Sequence, residues 1–406
     1  MAKTTQLISA LITRRWNRRT LSAFLAGVIF LTTGPIANAQ PDAQDREQAF
    51  RMHNRLAGVP PSEATLVSMA TDIDAGDLRA AADTAMANKH FYTVTLKNFA
   101  APWTNRDHSV FVPLNDYTTL VIGMVRDDVP FDQILSADLL YVDANQPPPA
   151  SDSNDHFVAL EQSMLQPGFD PQTDIVATAQ SSAYGLPATA TAGAMTTRAA
   201  SEAFFIAGTN RAMFRFTMLN HMCMDLEQVH DTSIVPDRIR QDVSRSPGGD
   251  SRLFLNNCIG CHAGMDPMAQ AFAYYNYDEV LGRLLYSQGN VAAKYFNNDT
   301  TFEQGFRTPD DSWTNYWRQG QNAVIGWSST LPGSGTGAKT LGQELAGTTA
   351  FAQCQVEKVF KNVCLRDPVD INDRNAVGQM TANFQSGGTY SLRQVFADSA
   401  AYCMGN

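Results

Sequence analysis

The chain has 406 residues, of which 44% are apolar and 17% charged, with 40 acidic against 30 basic side chains and a net charge of −10. That length and apolar content supply ample core for about two domains. The acidic balance argues against nucleic acid as a partner, because binding phosphates needs clustered Lys and Arg.

The first 39 residues read as a cleaved export signal. Lys3, Arg14, Arg15, Arg18 and Arg19 make a basic start, Leu21 to Leu31 is an apolar run too short to span a bilayer, and Ala37-Asn38-Ala39 offers small residues for cleavage before Gln40. The Arg18-Arg19 pair is a weak twin-arginine signal, so the general secretory route is expected. Cleavage removes five basic and no acidic residues, leaving a net charge of −15. No other segment is apolar long enough to cross a membrane, and no cysteine stands at the cleavage site to take a lipid, so no integral membrane anchor is expected.

Residues 40–145 are expected to form a helical bundle. Apolar residues recur at helical spacing in Ala49 to Leu56, in Ala64 to Met69 after Pro61-Ser62, and in Leu78 to Met86 after Asp77. Asp72, Asp74 and Asp77 lack the glycine register and closing acid of a calcium loop, and read as a turn and cap. Phe91 to Phe99 is read as helix, as are Asn115 to Arg126 and Phe131 to Leu140. Between them, Pro102 to His108 reads as an exposed loop whose Trp103, Arg106 and His108 are ordinary loop residues or contacts for a partner. Residues 146–208 are expected to be an irregular linker, marked by Gln146-Pro147-Pro148-Pro149 and the small-residue run Ala188 to Ala194.

Residues 209–406 carry the chemistry. Thr209-Asn210 opens a helix through Met213, Phe214, Met218 and Met222 to Cys223, whose methionines at helical spacing read as core. The turn Ser246 to Asp250 then leads into Cys258-Ile259-Gly260-Cys261-His262. Two cysteines about one helical turn apart can reach the two vinyl groups of a haem, and the histidine beside the second can bind its iron from the proximal side. A zinc site would need a second close ligand pair, and Cys223, Cys354, Cys364 and Cys403 offer none. A thioredoxin-like pair would need a preceding strand, whereas Asp250 caps a short helix over Ser251 to Asn257. The four remaining cysteines suggest two disulfides in an oxidising compartment. Cys354 and Cys364 lie on or near one helix too far apart to bond each other, leaving Cys223 and Cys403 as their partners.

After the motif, Asp266-Pro267 reads as cap and first turn of a helix over Met268 to Tyr275, whose small residues would admit a porphyrin face. Trp313, Tyr316, Trp317 and Trp327 read equally as a cover for a flat cofactor or as core. Leu331 to Lys339 is a Gly-rich loop without the spacing of a phosphate site, and two final helices are expected over Ala350 to Asn362 and Ser391 to Tyr402.

The span Cys258 to Asp278 resembles the haem segment of secreted c-type cytochrome-like domains of planctomycetes and proteobacteria, in which the attachment motif is followed by Asp-Pro and a small-aromatic helix ending in Asp. Arg211 to Cys223, Phe351 to Cys364 and Gly387 to Tyr402 are also similar to that group. The resemblance implies haem and export. The expected fold class is mainly α, an amino-terminal bundle followed by a helical cytochrome c-like haem domain with long loops. The expected function is that of an exported, periplasmic or secreted monohaem c-type cytochrome that passes single electrons through haem c, with Cys258 and Cys261 as attachment points and His262 as proximal iron ligand. It is read as an electron carrier before an enzyme. Met380 and Met404 are weak candidates for the sixth iron ligand, with Met222 and His221 behind them. A redox protein, basic to suit the acidic surface, is the expected partner. The alternatives are a haem enzyme of peroxidase or oxygenase type with an open sixth site, and a haem-stapled surface-binding protein.

Overall fold

The computed structural model describes residues 41–206 and 208–405; the expected export signal lies outside the described residues. The chain is mainly helical, with short strands in three antiparallel pairs.

Helices α1 (Ala43–Ala57), α2 (Glu63–Asp74) and α3 (Leu78–Met86) begin where side chains satisfy free backbone N–H groups. Asp42 accepts from Asp45 N at 2.9 Å, Ser62 from Thr65 N at 3.1 Å and Asp77 from Ala80 N at 3.0 Å. Asp77 is thus the cap expected of it. Phe91–Leu96 and Lys97–Ala100 are helical as expected, the first as a wide π-helical turn. Helix α4 (Asp116–Arg126) comes next, capped by Asn115.

The helix expected over Phe131 to Leu140 is not there. Phe131–Leu135 makes a single 3-10 turn, and Leu140–Asp143 is strand β1. Its Tyr141 lies across α4 at Gly123, where a Cβ would come within 2.1 Å of the ring. A strand can pass this close only because α4 has no side chain there.

The expected division is into a bundle (40–145), a linker (146–208) and a haem domain (209–406). Residues 41–405 belong to one compact unit. Helix α5 (Asp155–Met164) buries His156, Phe157, Leu160 and Met164, and strand β2 (Ile175–Thr178) pairs with β1. Helix α6 (Arg198–Phe204) is tied to α4 by Asp116, a buried carboxylate that accepts the backbone N–H groups of Arg198 and Ala199 and the Tyr184 hydroxyl. Proline and serine at 146–153 mark a turn, and the elements after it contribute side chains to the core.

Helix α7 (Arg211–Met222) and the motif helix α8 (Ile259–Ala269) lead to the hairpin of β3 (Tyr275–Asp278) and β4 (Arg283–Tyr286). Strands β5 (Ser312–Thr314) and β6 (Ser334–Thr336) pair ahead of helices α9 (Gly337–Ala346), α10 (Thr349–Cys364), α11 (Ile371–Gln385) and α12 (Leu392–Cys403). Helices α9 and α11, and the strand at Ser334–Thr336 within a stretch expected to be loop, go beyond the expected elements. Glycine at the start of α9 and the polar composition of α11 hide both from an apolar-periodicity argument.

The carboxy terminus closes the amino-terminal helices. Phe396 of α12 meets Phe91 at 5.2 Å and Phe99 at 5.4 Å, both edge to face, and Arg393 reaches Asp83 and Tyr92. Residues 301 positions apart thus meet at one core. Two disulfides fix this arrangement, Cys223–Cys354 between α7 and α10 and Cys364–Cys403 between α10 and α12. The bond between Cys354 and Cys364 that helix length forbade is indeed not formed. The 39-residue separation of Cys364 and Cys403 predicts a loss of about 4 kcal/mol on replacing both by alanine. Chemical denaturation of oxidised protein checks this, and an unchanged midpoint would show that the bond does not hold α12 in place.

Candidate haem-attachment site

The motif lies within a continuous helical run. Asp250 accepts Arg252 N at 2.9 Å and starts Ser251–Leu253, a π-helical turn covers Phe254–Cys258, and α8 continues from Ile259 to Ala269. A π turn inserts one residue and so rotates the next turns of helix about the axis. At 100° per residue from Cys258, His262 lies about 40° to one side and Cys261 about 60° to the other, and Gly264 and Gly260 follow beyond Cys261, on the side away from His262.

Those two glycines are why α8 sits where it does. A Cβ on Gly260 would come within 2.5 Å of the His230 ring, and one on Gly264 within 1.8 Å of Trp317 Nε1. Trp317 is fully buried and also meets Phe214 of α7 at 5.8 Å. Asp231 N donates to Gly260 O at 3.1 Å, clamping the same turn. Of the two readings of the tryptophan cluster, core packing is the one observed for Trp317, which buttresses the back of α8.

On the front, Cys258 and Cys261 are both partly exposed and both unbonded, whereas the other four cysteines are in disulfides. Burial, then the nearby Glu227, Cys258 and Asp225, pushes the Cys261 thiol up. A redox dithiol needs the reverse, a thiolate favoured by positive surroundings. Zinc is no better served: among the described residues no group of three or more His, Cys, Asp or Glu side chains is arranged to hold a metal ion.

His262 is partly exposed, and its Nδ1 lies 3.1 Å from Asp266 Oδ1 one turn on. Asp266 is buried and is gripped by Arg211 of α7 in a two-pronged pair, Nε to Oδ1 at 2.7 Å and Nη2 to Oδ2 at 2.9 Å. The Arg240 backbone N–H donates to Oδ2 at 3.3 Å, and the other edge of Arg211 binds Asp242 at 2.6 and 2.9 Å. Burial alone would raise the Asp266 carboxyl, but Arg211 and His262 outweigh it and hold it well below the usual carboxylate range. Burial likewise opposes the charge on Arg211, and Asp266 and Asp242 reverse that and raise it.

Asp266 is therefore no helix cap. Helix α8 runs through it, with Pro267 inside, and the expected helix over Met268 to Tyr275 is instead the end of α8, a 3-10 turn and the start of β3. Proline removes one N–H from the ladder, and the run continues for two residues before tightening. Met268, Ala269, Ala271 and Phe272 are buried in the core, so this stretch is packing and not an open face.

The methionines named for the sixth iron position lie on other elements. Met380 is buried in α11, its sulfur accepting from Ser399 Oγ at 3.6 Å, and α11 packs on α10 and α12. Met404 follows α12 beside α1, where Cys403 O accepts from Arg55 and Gly405 O from Gln48. The elements packed most closely on α8 are α7, β5 and the turns flanking them. His221 is buried with Nε2 2.6 Å from Tyr117 Oη, and burial and then Lys358 hold its imidazole well below its ordinary value. Met222 is core, as the reading of the methionine face expected. The loop over residues 102–108 is corrected in part: Trp103 is buried, and Arg106 binds Ala203 O at 2.6 Å.

Asp266, Arg211, Arg240 and Asp242 were missed as site residues. The spacing of His262 and Asp266, four apart on a helix, was the available signal. No protein-family model, curated protein or solved structure matches the chain.

Gly264→Ala is expected to destabilise the protein by about 1–3 kcal/mol through overpacking against Trp317. Urea unfolding followed by tryptophan fluorescence reads the loss, and wild-type stability in this variant would refute the close docking of α8.

Proposed function

We propose that this is an exported monohaem c-type cytochrome that passes one electron at a time. The observation that carries the reading is the pairing on one helix turn of two free, partly exposed thiols with a histidine whose Nδ1 is already anchored. A haem c needs two thiols free to form thioethers and an imidazole nitrogen free to meet iron. Cys258 and Cys261 supply the first, while the other cysteines are consumed in disulfides. His262 supplies the second, because binding Asp266 through Nδ1 leaves Nε2 as the ligating nitrogen.

When bound, the haem would supply reversible one-electron chemistry at its iron. The chain's own part is to hold the attachment turn rigid from behind through Gly260 and Gly264. It also fixes the ring plane and proton of His262 through Asp266. Two disulfides suit a chain folded in an oxidising compartment. Among the described residues no helix is long and apolar enough to cross a membrane. The acidic surface suits a basic redox partner.

A carboxylate behind the proximal histidine also suits the second reading, a haem enzyme with an open sixth site, since it raises ligand basicity. Carbon monoxide binding by the reduced protein at neutral pH would favour that reading, and a low-spin haem indifferent to carbon monoxide would favour the carrier.

Expression in a host with c-type maturation machinery should give coloured protein that keeps its haem through acidified organic solvent. Cys258→Ala with Cys261→Ala should remove all covalent haem, and His262→Ala should leave attached haem with altered ligation. Colourless wild-type protein from such a host would refute the cytochrome reading.

A further inference from the structure

We propose that Asp266 is a positioning residue that sets the reduction potential of the iron through His262, and that Arg211 opposes it. The inference rests on the haem reading above.

The geometry singles out Asp266. It stands one turn beyond His262 on the same helix, so their separation is fixed by α8 itself, with Nδ1 to Oδ1 at 3.1 Å. Its side chain is fully buried, so the bond works in a low-dielectric setting with little competition from water. Arg211 grips both oxygens and keeps the carboxylate ionised. An ionised acceptor draws the Nδ1 proton toward itself and leaves more electron density on Nε2, which stabilises ferric over ferrous iron. A backbone carbonyl in the same place, being neutral, would do this less.

Arg211 acts in the other direction. Its two hydrogen bonds to Asp266 withdraw charge from the carboxylate, the Nε bond most directly, because Oδ1 accepts from both Arg211 Nε and His262 Nδ1. Asp242 in turn occupies the other edge of Arg211 and limits how far it neutralises Asp266. The chain Asp242, Arg211, Asp266, His262 is thus graded, with the carboxylate nearest the imidazole left partly neutralised.

The test is the midpoint potential of matured holoprotein, titrated spectroelectrochemically, for wild type, Asp266→Asn and Arg211→Lys. Asp266→Asn should raise the ferrous-to-ferric ratio at fixed electrode potential by about tenfold, about 59 mV for one electron. Arg211→Lys conserves charge but loses the two-pronged grip, so it should shift the ratio the opposite way. Opposite signs would not arise from general loosening of the fold. Should Asp266→Asn yield no folded holoprotein, the downward shift in Arg211→Lys still decides. Covalently loaded variants with wild-type potential, or two shifts of the same sign, would overturn the proposal while leaving the cytochrome reading intact. A wild-type chain without covalent haem would overturn both.

Discussion

A buried carboxylate must find cations or give up its charge, and Asp266 meets that requirement in a way that fixes the middle of the molecule. Arg211 comes from the first turn of α7, Arg240 and Asp242 from an irregular stretch, and Asp266 from the motif helix. One cluster therefore joins three segments separated by up to 55 residues. Arg240 extends it, donating to Thr209 O at 3.1 Å and Asp266 O at 3.2 Å with its guanidinium 5.0 Å from the Tyr295 ring. Removing one partner from such a cluster costs about 3–5 kcal/mol, because a charge is then left buried without an answer. That penalty gives specificity: α7 and α8 can be docked in few ways that satisfy all four side chains.

Helix α7 is held at both ends as well. At its start, Asn210 adopts a left-handed conformation (φ 59°) and its side-chain amide donates to Phe272 O and Tyr275 O. At its end, Cys223 is also left-handed (φ 54°) and is bonded to Cys354 on α10. Between these anchors Met213, Phe214 and Met218 fill the core, and Phe214 touches the Trp317 that lies in the Gly264 notch. The position of the motif helix is thus set by rigid neighbours on one side and by the ion cluster on another. Cys258 and Cys261 are left partly exposed and unbonded.

Local signals carried the sequence reading a long way and non-local ones defeated it. Ser62, Asp77 and Asn115 cap helices as residues of their kind should, and the apolar rhythm of α3, α4 and α7 located those helices to within a residue or two. The Cys-Ile-Gly-Cys-His pattern at 258–262 needed no structure to be noticed. Asp266-Pro267 misled because the same dipeptide starts helices, and here a helix already under way runs through it. Asp116 holding the start of α6, or Phe396 wedged between Phe91 and Phe99, could not be read at all. Such pairings depend on which surfaces meet, and one chain's periodicity does not encode that. Composition marks a turn at 146–153, and packing carries the core across it.

Burial along the helical run 251–269 changes from end to end. Leu253 and Leu255 are about half exposed and Phe254 is the only buried side chain before the motif, whereas every residue from Ala263 to Ala269 is buried. Cys258, Cys261 and His262 stand where the change occurs. On the cytochrome reading this position serves two needs that conflict. An attached group must be near enough to the surface to exchange electrons, and its ligand must be held firmly enough to keep one potential. A thiol pair deeper in α8 would meet the second need alone, and one in the exposed turn before it would meet only the first. Placing the thiols at the boundary, with the histidine's second nitrogen tied into the buried cluster one turn further in, satisfies both within the span 258–266.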